Sequence, residues 1–209
     1  MTTRSRLVKR ALDLAIALPA CLVLLPVMLV VAFVLRLSLG APVLFRQERL
    51  GMGSRPFTVL KFRTMTDARD SAGALLPDAG RVTGVGRFLR DSSLDQLPEL
   101  INVIRGDMSL VGPRPLLSEY RDVFTPTEMR RHEVPPGMSG WAQINGRNLT
   151  SWEERLALDV WYVDHRSLGL DIKILLLTVP KVLRSEAATP RGRVTMPTLI
   201  EHRARRQDR

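Results

Sequence analysis

A chain of 209 residues with a formal net charge of +10 is long enough for one domain with a buried core plus an appendage. Residues 1–10 hold four basic and no acidic side chains, and residues 181–209 hold eight basic and three acidic, so the two ends carry +9 of that charge. The nearly neutral middle excludes a nucleic-acid face spread over the domain, while the basic ends suit anionic lipid headgroups or plain solvated tails. The single Cys21 excludes an internal disulfide, and with three His residues there is no material for a Cys/His metal cluster.

Residues 14–35 form a run of 22 without a charge, bounded by Asp13 and Arg36 and long enough to cross a bilayer as a helix. The run is too long for a cleaved signal peptide, and no small-residue cleavage site closes it. Pro26 near its middle deletes the bond from its own nitrogen to the Leu22 carbonyl and predicts a bend, with Pro19 offering a second. From the residues alone two readings stay open, a spanning helix and one that enters a leaflet and turns back. Basic side chains flank the run on both sides, Arg4, Arg6, Lys9 and Arg10 before it and Arg36, Arg46 and Arg49 after it, so a span has only a weak orientation signal.

Residues 42–46 and 57–63 alternate β-branched and aromatic positions around Gly51-Met52-Gly53-Ser54, which predicts a β-hairpin. Its second strand carries Lys61 and Arg63, either toward a site or as ordinary outward-facing residues. Residues 66–81, rich in Asp, Ala, Gly and Pro, predict a mobile loop. Gly84-Val85-Gly86 is too short to be a dinucleotide fingerprint. Residues 171–183 have apolar positions at helical spacing with Lys173 and Lys181, an amphipathic helix either lying on a membrane or packed on the domain. Trp141, Trp152 and Trp161 are candidates for core residues or interfacial anchors, with core the expectation for two of the three.

The densest chemistry lies in residues 93–100. Apolar positions at Leu97, Leu100, Ile101 and Ile104 predict one helix face, with Asp95 as N-cap or first-turn residue and Pro98 among the early positions whose N–H has no helical partner. A carboxylate there is expected to be held ionised by the helix end and by Arg90 and Arg114, free to cap the helix or to attack phosphorus. Gly112-Pro113-Arg114-Pro115 locks two φ angles and presents Arg114 with little freedom, for phosphate oxygens or for a neighbouring carboxylate. Asn145-Gly146 predicts a tight turn that displays Arg147.

Taken together, Lys61-Phe62-Arg63-Thr64-Met65, residues 93–100, the segment 106–115 and the segment Pro136-Gly137-Met138-Ser139-Gly140-Trp141-Ala142-Gln143-Ile144-Asn145-Gly146-Arg147 resemble the bacterial sugar transferases, the small monotopic phosphoglycosyl transferases. The likeness runs from about Lys9 to about Thr195. Gly146-Arg147-Asn148, Ser151-Trp152, Leu158-Asp159-Val160 and Tyr162-Val163 are most similar to the short PglC-type enzymes.

The resemblance implies an α+β, mainly helical fold: a basic N-terminus with a re-entrant membrane helix-break-helix (1–39), a catalytic domain with a β-hairpin and interfacial helices (40–185) and a basic tail (186–209). The family's break is Ser-Pro; here it is Leu25-Pro26, so the bend rests on Pro26. The implied reaction moves a phosphosugar from a UDP-sugar, with an N-acetylated amino sugar as first candidate, to polyprenyl phosphate. It releases UMP and initiates glycoconjugate synthesis at the cytoplasmic face of the bacterial inner membrane. It implies Mg²⁺ and an Asp-Glu pair whose Asp forms a covalent intermediate. By position the nucleophile and metal-holding residue is Asp95, but its neighbour is Gln96, which neither takes a proton nor carries charge to a cation. Glu99, four residues on, is the candidate for the missing carboxylate. Lys61, Arg63, Arg90, Arg114, Arg147 and Asp159 are the expected substrate-binding residues, and the loop 66–81 a place to encode sugar preference. Membrane lipids, a homodimer and downstream glycosyltransferases are the further partners considered. Two non-enzyme readings compete, a degenerate member that binds UDP-sugar or lipid without turnover, suggested by Gln96, and a membrane-tethered scaffold.

Overall fold

The computed structural model describes residues 3–145, 151–183 and 198–207. Helix α1 (Thr3–Ser38) leads into an antiparallel hairpin of β1 (Leu44–Leu50) and β2 (Pro56–Phe62), in register from Leu44 opposite Phe62 to Leu50 opposite Pro56. The turn between them is a short 3-10 segment, Met52–Ser54, with Gly53 at φ 64° in the left-handed region that glycine enters without strain. The hairpin thus forms where the alternation places it. The loop that follows is pinned by bridges between Met65 and Val82 and between Arg69 and Leu75, and it ends in a single turn, α2 (Asp78–Arg81).

Helix α3 (Gly84–Asp91) starts at Thr83, whose hydroxyl accepts the Gly86 N–H at 3.0 Å. Helix α4 (Glu99–Arg105) ends at Gly106, φ 98°. Its fully buried Asn102 completes the hairpin: the Leu60 N–H donates to Asn102 Oδ1 at 3.0 Å, and Asn102 Nδ2 donates to the Thr58 carbonyl at 2.7 Å. Polar backbone on the free edge of a two-stranded ribbon is thereby satisfied by a side chain from the neighbouring helix.

A second sheet was not foreseen. Strand β3 (Ser109–Val111) pairs in parallel with β4 (Gly137–Ser139). The approach is close enough that a Cβ on Gly112 would lie 2.4 Å from the Pro135 carbonyl oxygen, and one on Gly137 would lie 2.0 Å from the Gly112 nitrogen. Both glycines of the two motifs are therefore needed for contact between them. After α5 (Pro126–Met129), α6 (Trp141–Asn145) and α7 (Trp152–His165) comes α8 (Leu168–Leu183). This last helix starts three residues earlier than its apolar spacing predicts, because the Ser167 hydroxyl accepts the Leu170 N–H at 3.2 Å and caps it.

The residues expected as a basic tail include a helix, α9 (Leu199–Gln207). It docks on the domain through fully buried Leu199, which clusters with Tyr120, Trp152 and Leu156, and through Arg206, 2.9 Å from Glu153. Trp152 is in one core cluster, Trp141 packs against another, and the more exposed Trp161 stacks on Trp141 at 4.7 Å.

The N-terminal helix departs from expectation in two ways. It runs unbroken from Thr3 to Ser38 with Pro19 and Pro26 inside it, so the expected break is not an interruption of the helix. Its stripe Asp13, Ala17, Cys21, Leu24, Met28, Val31 and Leu35, spaced three or four residues apart, packs against the domain. The opposite face is bare hydrocarbon, with Leu22, Val23, Leu29, Val30, Phe33 and Leu37 all more than 60% exposed. Lys9 and Arg10, expected at lipid headgroups, are instead bound into the protein. Lys9 contacts Asp13 and Asp171, while Arg10 donates to the Val103 and Ile104 carbonyls at the C-terminal end of α4, where a cation meets the negative end of the helix.

Candidate active site

The helix expected to begin at Asp95 is two pieces. Ser93 takes φ 59°, residues Leu94–Gln96 form a 3-10 turn, and α4 begins only at Glu99. The reason is Pro98, which has no N–H to give the Leu94 carbonyl. The bonds actually made are three residues apart, Leu97 to Leu94 at 3.2 Å and Leu100 to Leu97 at 3.1 Å. Asp95 and Glu99 are therefore not on one regular helical face, yet both come up against Lys61 of β2. Lys61 Nζ lies 3.2 Å from Glu99 Oε1, and Asp95 acts on both Lys61 and Glu99 electrostatically.

Burial governs this cluster. Asp95 is 8% exposed and Glu99 3%, and Asp95 Oδ1 is a buried acceptor with no hydrogen-bond partner among the described residues. Desolvation pushes the Asp95 carboxyl above the ordinary Asp range, against the pull of Lys61, Arg90 and Arg114. The expectation that the arginines and a helix end hold it down is thus corrected, since loss of water outweighs the cations. Desolvation also raises Glu99, against Lys61 and Arg114, and it lowers Lys61, helped by Arg114 and opposed by Glu99.

Arg114 sits beyond β3, exposed, and among the described residues it makes no ion pair with a carboxylate. Its backbone is held instead. Arg131 donates from Nη2 to the Arg114 carbonyl at 2.7 Å, and the same guanidinium is paired with buried Asp159 at 2.7 and 3.1 Å. Asp159, expected as a substrate ligand, anchors the arginine that anchors Arg114. Arg90 donates from Nε to Thr64 Oγ1 at 2.9 Å and keeps its exposed end within electrostatic reach of Asp95. Arg63 is the exception. It binds the Met65 carbonyl, the Ala41 carbonyl and Asp67, and so ties the end of β2 to flanking loops instead of joining the carboxylates. Arg147 lies outside the described residues.

The bacterial sugar transferase family matches residues 4–185. The chain belongs to this family. It is 53% identical over 189 residues to the uncharacterized sugar transferase EpsL of Bacillus subtilis, covering 90% of this chain and 94% of that protein. It is 40% identical to the UDP-glucose:undecaprenyl-phosphate glucose-1-phosphate transferase of Caulobacter vibrioides, with 86% of this chain and 71% of that protein covered. It is 39% identical to the UDP-N-acetylgalactosamine-undecaprenyl-phosphate N-acetylgalactosaminephosphotransferase of Aeromonas hydrophila, where it matches 84% of this chain but only 44% of the longer relative.

Two recesses of the transferase meet at Arg114. The larger, roughly 270 Å³, has Ser93 and Gln96 on one wall and Arg131, Arg155 and Lys181 among its other lining groups. The smaller holds Arg49, Lys61 and Glu99. A recess with several cations and a preset guanidinium suits phosphate oxygens. Arg131, Arg155, Lys181 and Arg49 were missed by motif reading, since their signal is convergence from a strand and separate helical segments and not local spacing.

Among the described residues no three His, Cys, Asp or Glu side chains converge as a metal cage. Asp95, whose buried Oδ1 has no hydrogen-bond partner among the described residues, with Glu99 nearby is nonetheless the kind of donor set that Mg²⁺ uses, one or two carboxylates completed by substrate phosphates and water.

Proposed function

We propose that this transferase moves a phosphosugar from a UDP-sugar to a membrane polyprenyl phosphate, with Asp95 as the nucleophile. The observation that carries the reading is a buried carboxylate whose Oδ1 has no hydrogen-bond partner among the described residues, within electrostatic reach of Lys61, Arg90 and Arg114. The Asp95 carboxylate attacks the sugar-bearing phosphorus, the P–O bond to UMP breaks, and the electron pair leaves on UMP, whose growing charge is met by Arg114 and Lys61. An oxygen of the polyprenyl phosphate then attacks the same phosphorus, and the Asp95 carboxylate departs with its pair to leave a polyprenyl diphosphosugar.

Asp95 and Glu99 are the residues that would hold Mg²⁺, which when bound supplies positive charge at the diphosphate. Glu99, raised by burial and set against Lys61 Nζ, serves as the second carboxylate that Gln96 is not. Arg131 and Asp159 hold the Arg114 backbone.

The same proposal places α1 in one leaflet, with both ends on the cytoplasmic face. What supports it is the stripe from Asp13 to Leu35, roughly 33 Å of helix at 1.5 Å per residue, in contact with the domain along its length. A helix crossing the bilayer leaves one of its ends clear of a domain on one side. The exposed Leu176, Leu177 and Val179 of α8 add a second apolar surface for the same membrane.

The test is mass spectrometry of the intact protein after a UDP-sugar panel of glucose, galactose and N-acetylhexosamines, with UMP release measured alongside. Wild type is expected to gain one phosphosugar that polyprenyl phosphate removes. Asp95→Asn is expected to fold but to gain no adduct and release no UMP. An adduct on the Asp95→Asn variant would move the nucleophile elsewhere.

A further inference from the structure

The first turns of α1 place two charged side chains inside the protein. Lys9 Nζ lies 2.8 Å from Asp13 Oδ1 and 3.1 Å from Asp171 Oδ2 of α8, and both carboxylates are almost fully buried. Every other bond of this cluster ends on α7 or on β3. Asp13 Oδ2 accepts the Ser109 hydroxyl at 2.9 Å, and Asp13 Oδ1 accepts the Leu110 N–H at 3.2 Å. Tyr162 of α7 donates to Asp171 Oδ1 at 2.7 Å, with its hydroxyl also 3.3 Å from the Val111 carbonyl. Among the described residues strand β3 has β4 along one edge and no strand along the other, where these side chains act as its neighbour. Val111 is followed at once by Gly112-Pro113-Arg114-Pro115, a stretch stiffened by two prolines, so the placement of β3 is passed to Arg114 with little slack.

An apolar contact would hold α1 to the domain without desolvating three charges. Burying such a group seldom adds stability over well-packed hydrocarbon, but in some proteins it fixes a single register. We infer that the Lys9, Asp13, Asp171 and Tyr162 cluster is a positioning device for Arg114, through which the membrane-facing helices α1 and α8 set the geometry of phosphate binding. The inference rests on the reading of Arg114 as a ligand of the donor diphosphate. None of its four residues lines either recess at Arg114, so the cluster acts through β3.

A double-mutant cycle on the full-length protein in lipid nanodiscs tests it, using Tyr162→Phe, Arg114→Lys and the two combined, with polyprenyl phosphate and a UDP-sugar that wild type turns over. Removing one buried hydroxyl bond is expected to lower kcat/KM about three- to tenfold in the wild-type background. With Lys at position 114 the same change is expected to cost less than twofold, because the planar fork that the cluster aligns is already gone. A role in stability alone lowers the melting temperature equally in both backgrounds and gives additive losses of rate. Equal losses in the two backgrounds, or no loss in either, overturn the inference. Arg114→Lys with full activity overturns the reading of Arg114 itself, and the inference with it, which is a separate outcome. Should Tyr162→Phe not fold, Asp13→Asn replaces it in the same cycle with the same expected non-additivity.

Discussion

Replacing Glu99 by Gln should separate catalysis from stability at this site. Removing one partner of a buried ion pair ordinarily costs about 3–5 kcal/mol, which for a domain of this size is a melting temperature lower by roughly 6–20 °C. The transferase is expected not to pay that cost. Folding raises the Glu99 pKa and lowers that of Lys61, so burial disfavours the charged form of both partners. Lys61 keeps Asp95 beside it and 23% of its side chain in solvent after the change. The neutral isostere should therefore hold the melting temperature within about 4 °C of wild type. On the proposed mechanism the rate should nevertheless drop about 10²-fold or more, because the neutral amide removes one of the two carboxylates that would hold Mg²⁺. Differential scanning fluorimetry and UMP release on the same preparation provide both readings. A melting temperature lower by more than about 6 °C would make Glu99 a structural partner of Lys61, and an unchanged rate would show that Asp95 works without a second carboxylate.

Acid should affect rate and stability in opposite directions. Asp95 and Glu99 are both raised by folding, so the stability they contribute is full below their unfolded values and is lost as pH rises through the folded ones. On the proposed mechanism activity needs Asp95 ionised and should fall off on the acid side above the ordinary Asp range of about 3.9; an acid limb at or below that range in a pH–rate profile contradicts a desolvated nucleophile. Cysteine labels at residues 3 and 40 should react with an impermeant reagent from the same side of sealed vesicles. Labelling from opposite sides would convert α1 into a span.

Local features were legible in the residues because local chemistry fixes them. The hairpin follows from alternation around Gly51-Met52-Gly53-Ser54, the long apolar helix from 22 uncharged residues, and the Asp95 to Arg114 region from short motifs. What failed depends on distant neighbours. The β3–β4 pairing joins segments 28 residues apart through glycines whose role is visible only when the backbones meet. Arg131 sits in a run of Arg130, Arg131 and His132 that looks like solvated charge until Asp159 is placed 2.7 Å away. The direction of the Asp95 shift was misjudged for a related reason. Nearby cations can be counted in a sequence, whereas removal of water belongs to the whole fold.

The stripe along α1 also limits how this anchor can change. A membrane tether joined by a linker tolerates insertion or deletion, since only its length and greasiness matter. Here one residue added between Asp13 and Met28 turns everything on one side of it by about 100° relative to the other. Either Asp13 leaves Ser109 or Met28, Val31 and Leu35 leave Phe62 and Leu89. Clipping the helix off to obtain a water-soluble enzyme strips Ala17 from one core and those three residues from another, leaving hydrocarbon bare on the catalytic domain. For this protein the apolar N-terminal helix and the fold it packs on behave as one object, and drift in helix length is constrained as tightly as drift in a buried strand.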